Sequence, residues 1–263
     1  MSETVARRVS RATHHIFIMV VIRNEKRIRR LRLISQITSF LGFGALLAGL
    51  ALIFISDNPQ VFVLQLGALL IGWILSQIGI YLGHQYVRKP RPDEVLDEAV
   101  KKSAKNGRFY HFILPAPHVL LLPSGIIVFV AKYQTGKIRA DGDNWKQSGL
   151  GLRRFFGQEN LGNPTKEAES SVAAVAGFIN KNAPEVEEVP IAAMIVFTTK
   201  GESELDLKKS SIPAMHYTKV KGYMKQHKRK ERLPEPAYKA LRAAFDDRAT
   251  AVGADVEDTV TAN

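Results

Sequence analysis

His118–Ile138 reads HVLLLPSGIIVFVAKYQTGKI, and this stretch decides how the second half of the chain folds. Two apolar, β-branched runs flank Pro123-Ser124-Gly125, and the second run closes at Thr135-Gly136. Proline presets φ for a turn and glycine tolerates positive φ, so both places mark tight reversals. Val119–Leu122 and Ile126–Val130, the latter extending toward Tyr133, therefore read as neighbouring strands. Lys137–Ala140, ahead of Asp141-Gly142-Asp143, reads as a further short strand.

Working outward, Arg108–Leu114 is another apolar run, set off by Asn106-Gly107. Before it, Pro92-Asp93-Glu94 suits a helix start, with proline at the first position and acids near the positive end of the dipole. Val95, Leu96, Ala99 and Val100 supply the helical spacing. Downstream, Leu150–Gln158 reads as a short basic helix. Asn163-Pro164 opens a longer one over Thr165–Asn182, with Val172, Val175, Ala176 and Ile179 on one face. Ile191–Thr198 is a buried strand, and Tyr217–Arg229 and Pro236–Arg248 are two more helices. The reading is an α/β domain over residues 90–248, with a mixed central sheet flanked by helices, and a disordered tail over 249–263.

The part before this domain is of another kind. Leu33–Ile55 and Val61–Gly83 carry no charged residue. About 20 mainly apolar residues cross a bilayer as a helix, and backbone amides in lipid must be paired within the segment. Only Ser56–Gln60 separates the two runs, so residues 33–83 read as a tight transmembrane hairpin with spans 33–55 and 61–83. Residues 1–32 are a basic leader with 9 Lys and Arg, the connecting loop has none, and Arg88, Lys89 and Arg91 follow the second span. Basic flanks stay in the cytoplasm, so both termini are expected there. Tyr81 and Tyr86 lie where an interfacial aromatic belt belongs. In the leader, Ile16–Ile22 is an apolar run too short to span. Two roles are open to it: an edge strand on the soluble domain, or a segment lying at the interface.

Gly72, Ser76, Gly79 and Gly83 form one stripe of the second span, and Gly42, Ala45 and Gly49 a similar stripe on the first. Small side chains let helices approach closely in lipid. Packing of the two helices on each other is the favoured reading, and a homo-oligomer through the same stripes the other. No ionisable residue lies in either span, which disfavours an ion or proton path.

Composition closes off several chemistries. The chain has 263 residues, no cysteine and a net charge of +12, half of it in residues 1–87. Thiol nucleophiles and thiolate metal sites are excluded. There is no Walker A loop, no Gly-x-Ser-x-Gly elbow and no His-Glu-x-x-His. His111 and His118 begin or sit on strands and read as hydrogen-bonded structural histidines. Two basic clusters remain, Arg153-Arg154 beside Phe155-Phe156, and Lys219–Arg232, KVKGYMKQHKRKER. Arg153, Arg154, Lys219, Lys221, Lys225, Lys228, Arg229 and Lys230 are thus candidates for binding nucleic acid or anionic lipid.

The order of elements, with the His118–Ile138 string, resembles the NERD (nuclease-related) domain family, placed with the restriction-endonuclease-like folds. The family pattern is a helix with an early Glu, a strand opening Asp-His, a Pro-x-Gly turn and a strand carrying Glu-x-Lys before a Gly-containing turn. Glu94, His118, Pro123-Ser124-Gly125, Lys132 and Gly136 match it. The hairpin in front also resembles bacterial members, which implies the bacterial inner (cytoplasmic) membrane. The resemblance would imply a Mg²⁺-dependent nuclease, but the family's Asp falls on Pro117 and its Glu on Val130. A hard cation needs oxygen ligands, and these two side chains have none. No metal site and no cofactor are expected, and Lys132 and Glu94 are remnants. The expectation is an inactive, membrane-anchored binding or scaffold module with a nucleic-acid or protein partner. The alternative is a Mg²⁺-dependent DNA nuclease whose acids have moved, with Asp141 and Asp143 near at hand.

Overall fold

The computed structural model describes residues 19–54, 58–151, 160–199 and 203–256. The chain opens with strand β1 (Val20–Arg23), then helices α1 (Glu25–Leu52) and α2 (Pro59–Leu82) and a π-helical turn over Gly83–Val87. There follow α3 (Pro92–Val100), β2 (Arg108–His111), β3 (His118–Leu122), β4 (Gly125–Lys132), β5 (Gly136–Gly142) and β6 (Asn144–Ser148). The last elements are α4 (Pro164–Asn182), β7 (Ile191–Phe197), β8 (Ser203–Ser210), β9 (Ala214–His216), α5 (Tyr217–Gln226) and α6 (Glu235–Ala251).

The α/β domain holds two sheets where one was expected. The larger is mixed and six-stranded, in the order β1-β2-β3-β4-β7-β9, and the smaller is three-stranded, β6-β5-β8. The expected β3–β4 hairpin is present, with Leu122 opposite Gly125. Gly125 has φ +136, and a Cβ there would meet the Pro190 carbonyl at 2.6 Å, so only glycine fits the turn. Of the two roles open to Ile16–Ile22, the described residues take the strand: Val20–Arg23 pairs in parallel with Arg108–His111 at the sheet edge. Ile22 is fully buried, so the segment before the hairpin belongs to the core of the domain behind it. At the other end, α6 runs past Arg248, and Ala249 is fully buried.

The large sheet is covered on both faces. α4 and α6 pack on one, through Val175, Ile179, Leu241 and Phe245 against Val119, Leu121, Ile126 and Val128. α3 and α5 pack on the other, through Leu96, Val100, Val220 and Met224 against Phe109, Leu120 and Phe129. The period-two alternation of a strand sends Phe129 to the α3 face and Val128, Val130 and Lys132 to the α4 face. The small sheet joins Ile138 and Leu207 to Val130, Ile195 and Phe197.

α1 and the helical stretch from Pro59 are each long and apolar enough to cross a membrane. α1 begins at Glu25, eight residues before the uncharged run, because Asn24 caps it by accepting from Arg27 N. The small-residue stripes of α1 and α2 face each other. A Cβ at Gly42 would lie 2.7 Å from Ser76 N, and one at Gly72 would lie 2.8 Å from Leu46 N. Ser35 Oγ donates to the Gly79 carbonyl at 2.8 Å. Of the residues named for a homo-oligomer, Gly42, Gly49, Gly72, Ser76, Gly79 and Gly83 thus lie against the other helix of the same chain. Every exposed large hydrophobic side chain among the described residues lies between Leu33 and Tyr81.

Candidate functional site

β4 ends on Lys132, which is 6% exposed. Its Nζ donates to Glu167 Oε1 at 2.5 Å and to the Leu161 carbonyl at 3.0 Å. Glu167 comes from the first turn of α4, where the helix dipole favours an acid. Two residues back, Val130 packs among Ile138, Leu161 and Ala168. Pro117 is exposed, and its carbonyl accepts from Phe112 N at 2.7 Å. Glu94 is on α3, across the sheet, where Oε2 accepts from Arg91 N at 2.9 Å and holds the helix start. The structure therefore does not bring the two remnants together. Glu167 stands beside Lys132 in place of the expected acid.

These residues do not fit a divalent metal. Position 130 is aliphatic and buried, position 117 offers no side-chain oxygen, and among the described residues the carboxylate paired with Lys132, that of Glu167, already neutralises an ammonium. Among the described residues no three His, Asp or Glu side chains converge as a metal site would require. Asp141 pairs with Lys209 at 3.7 Å, and Asp143 accepts from Ser211 Oγ while its carbonyl accepts from Asn163 Nδ2 at 3.1 Å, so both carboxylates are engaged at the end of the β5–β6 hairpin.

A second polar cluster is buried where the hairpin joins the domain. Arg23, the last residue of β1, reaches two carboxylates of α3: its Nε lies 2.9 Å from Asp93 Oδ2, and its Nη2 pairs with Asp97. Arg91 also donates to Asp93, at 3.1 Å. Asp97 Oδ1 lies 2.9 Å from His111 Nε2, and His111 Nδ1 lies 2.9 Å from His118 Nδ1. Burial pushes both imidazoles down to about 3, so they are neutral. Asp97 then accepts from His111 Nε2–H, His111 Nδ1 accepts in turn, and His118 Nδ1–H donates. Burial alone would raise Asp93, but the hydrogen bonds and the positive charge of Arg91 hold it below the ordinary carboxylate range.

Sequence reasoning named the two histidines as structural but missed Asp97 as the partner of His111, the Arg23–Asp93 pair beside it, and Glu167 as the partner of Lys132. Asp93 and Asp97 are four apart on a helix and so share a face, which is a usable signal. Glu167 carried no signal beyond a first-turn acid.

Lys219, Lys221, Lys225, Lys228, Arg229 and Lys230 are all exposed on α5 and the loop after it. Arg153 and Arg154, with the expected helix around them, lie outside the described residues.

With this geometry in hand, comparison with known families gives one finding. A family model for the nuclease-related domain, NERD, matches residues 95–198. The NERD match runs from Val95 within α3 through β7, with Lys132 and Glu167 inside it. It starts one residue after Glu94. Strands β1, β8 and β9 and helices α5 and α6 lie beyond its limits, so the domain is larger than the NERD match. No curated protein matches the chain, and no solved structure does.

Proposed function

We propose that the chain is a membrane-anchored module of the bacterial cytoplasmic membrane, with both termini in the cytoplasm. Its NERD domain, of restriction-endonuclease-like fold, binds or scaffolds a partner without cleaving nucleic acid. The membrane half of the reading is supported by the outward-facing apolar surface between Leu33 and Tyr81, which water would not tolerate on a free hairpin. The observation that carries the functional half is the surroundings of Lys132. Its ammonium is taken up by Glu167 and the Leu161 carbonyl, Glu94 is engaged across the sheet, and the family's two acid positions hold proline and valine. Phosphodiester hydrolysis by a metal needs two or more oxygen ligands to place the ion and activate water. The partner is nucleic acid or another protein, and the anchor holds it at the membrane surface.

A second reading, a Mg²⁺-dependent DNA nuclease with relocated acids, has one observation in its favour: the Glu167 carboxylate 2.5 Å from Lys132. Incubating the purified full chain with Mg²⁺ or Mn²⁺ and linear, supercoiled or branched DNA separates the two. The first reading expects intact DNA. Cleavage that disappears in Lys132→Ala would overturn it.

A further inference from the structure

We infer that the end of α5 and residues 227–232 form a binding surface for single-stranded nucleic acid, held at the end of the domain away from the membrane. This rests on the reading of the chain as a membrane-anchored binding module and gives that module its partner. Strand direction places the surface. β1 runs into Arg23 and then directly into α1, so the end of β1 is the hairpin end of the sheet. β2 is parallel to β1, β3 antiparallel to β2, and β4 antiparallel to β3. β4 therefore starts at Gly125 far from the hairpin and finishes at Lys132 beside it. The contacts agree: His84, just below α2, stacks on Tyr133 with ring centroids 4.0 Å apart. β9 is parallel to β4 through β7, so α5 begins at the hairpin end and runs away from it. At the far end Leu233 N donates to the carbonyl of Pro123, in the β3–β4 turn.

β4 spans roughly 23 Å at about 3.3 Å per residue, which separates Lys132 from Leu233, where the basic loop ends. That exceeds two Debye lengths of about 8 Å, so the basic loop lies beyond the field of the membrane its own chain sits in. Lipid of that membrane is thereby disfavoured as its partner. The chemistry of the patch is the second argument. Lys225, Lys228, Arg229, Lys230 and Arg232 are exposed, and none makes an ion pair among the described residues. In their midst the exposed His227 ring stacks on Tyr223, with centroids 4.0 Å apart and planes at 20°. The bond between His227 Nδ1 and the Tyr223 carbonyl, 3.0 Å, holds the ring in place. Cations along a backbone track beside an exposed ring, here His227 braced on the half-buried Tyr223, are what unpaired bases and their phosphates use. A duplex, whose bases are already stacked, gains from the charges but not from the rings. All of this lies outside the NERD match and at the opposite end of the sheet from Lys132.

The test uses the full chain in nanodiscs of uncharged lipid and fluorescein-labelled oligothymidylate, read by anisotropy at two salt concentrations. Reversal of Lys225, Lys228, Arg229 and Lys230 to Glu is expected to weaken binding at least about tenfold and to flatten the salt dependence, by roughly 0.7 in log–log slope per lost phosphate contact. His227→Ala is expected to weaken the single strand by about fivefold or more while leaving a matched duplex within about twofold. Unchanged affinity in both variants overturns the inference, as does a loss confined to polyglutamate or to anionic vesicles. Cleavage of the labelled strand is scored in the same samples: Lys132-dependent cutting would remove the non-cleaving reading and leave the patch standing, whereas intact strands with variant-insensitive binding would do the reverse.

Discussion

Lys132 sits in a nearly closed site because Glu167 and the Leu161 carbonyl surround its ammonium. Glu167→Gln leaves that ammonium with weaker partners. Since Glu167 is itself about half exposed, solvent replaces part of the loss. The expected cost is about 1–2 kcal/mol, read as a drop in thermal midpoint relative to the wild type. An unchanged midpoint would mean that the pair does not hold the α4 start. At the hairpin junction, His111 and His118 titrate on unfolding. Their folded pKa is about 3, against 6.5 for a free imidazole. Between those values the unfolded chain binds protons that the folded chain refuses, so stability is complete above about pH 6.5 and falls as pH is lowered toward 3. Thermal melting at pH 7 and pH 5 is expected to show the loss, and His118→Phe is expected to reduce it. An equal slope in the variant would count against a neutral pair.

At the scale of elements, the hairpin seam offers a paired comparison. A methyl group at Gly72 would lie 2.8 Å from Leu46 N and 2.9 Å from the Gly42 carbonyl, whereas one at Gly67 meets nothing within 4 Å. Gly72→Ala is therefore expected to lower the melting temperature in detergent, and Gly67→Ala to leave it unchanged or raise it slightly through better helix propensity. Equal effects would mean that α1 and α2 do not pack along this stripe. β1 gives a second prediction. Ile22 is fully buried between the sheet and α6, so Ile22→Ala is expected to destabilise the soluble part by about 2–5 kcal/mol. A surface leader would tolerate it. The apolar strands β3, β4 and β7 and the helices α4 and α6 were legible because their alternation and turn residues are local. β6 and β8 were not. NWKQS and SELDLKKS show little apolar content, since one face of a small sheet meets solvent, and β8 pairs in parallel with β5 across more than sixty intervening residues. The role of β1 was left open because a four-residue strand before an apolar helical hairpin looks the same whether it docks or floats.

On the scale of the whole molecule, the chain threads one domain around an inserted apolar helical hairpin: β1 before it, everything from α3 after it. The Arg23–Asp93–Asp97 cluster ties the entering and leaving segments together, and Tyr86 and Phe112, with centroids 5.1 Å apart, close the base. The hairpin was plain from charge-free length alone. That positions 117 and 130 hold proline and valine could be read directly, the turn at Gly125 setting their register. The partner of Lys132 was not, since α4 reaches it from 35 residues on, by tertiary packing that no local pattern encodes. The central claim is that this end of the sheet no longer grips a divalent cation. Its most direct test is a Mn²⁺ titration of the full chain followed by electron paramagnetic resonance. The account predicts no saturable site that responds to Glu167→Gln or Lys132→Ala. A stoichiometric Mn²⁺ site abolished by Glu167→Gln would contradict it.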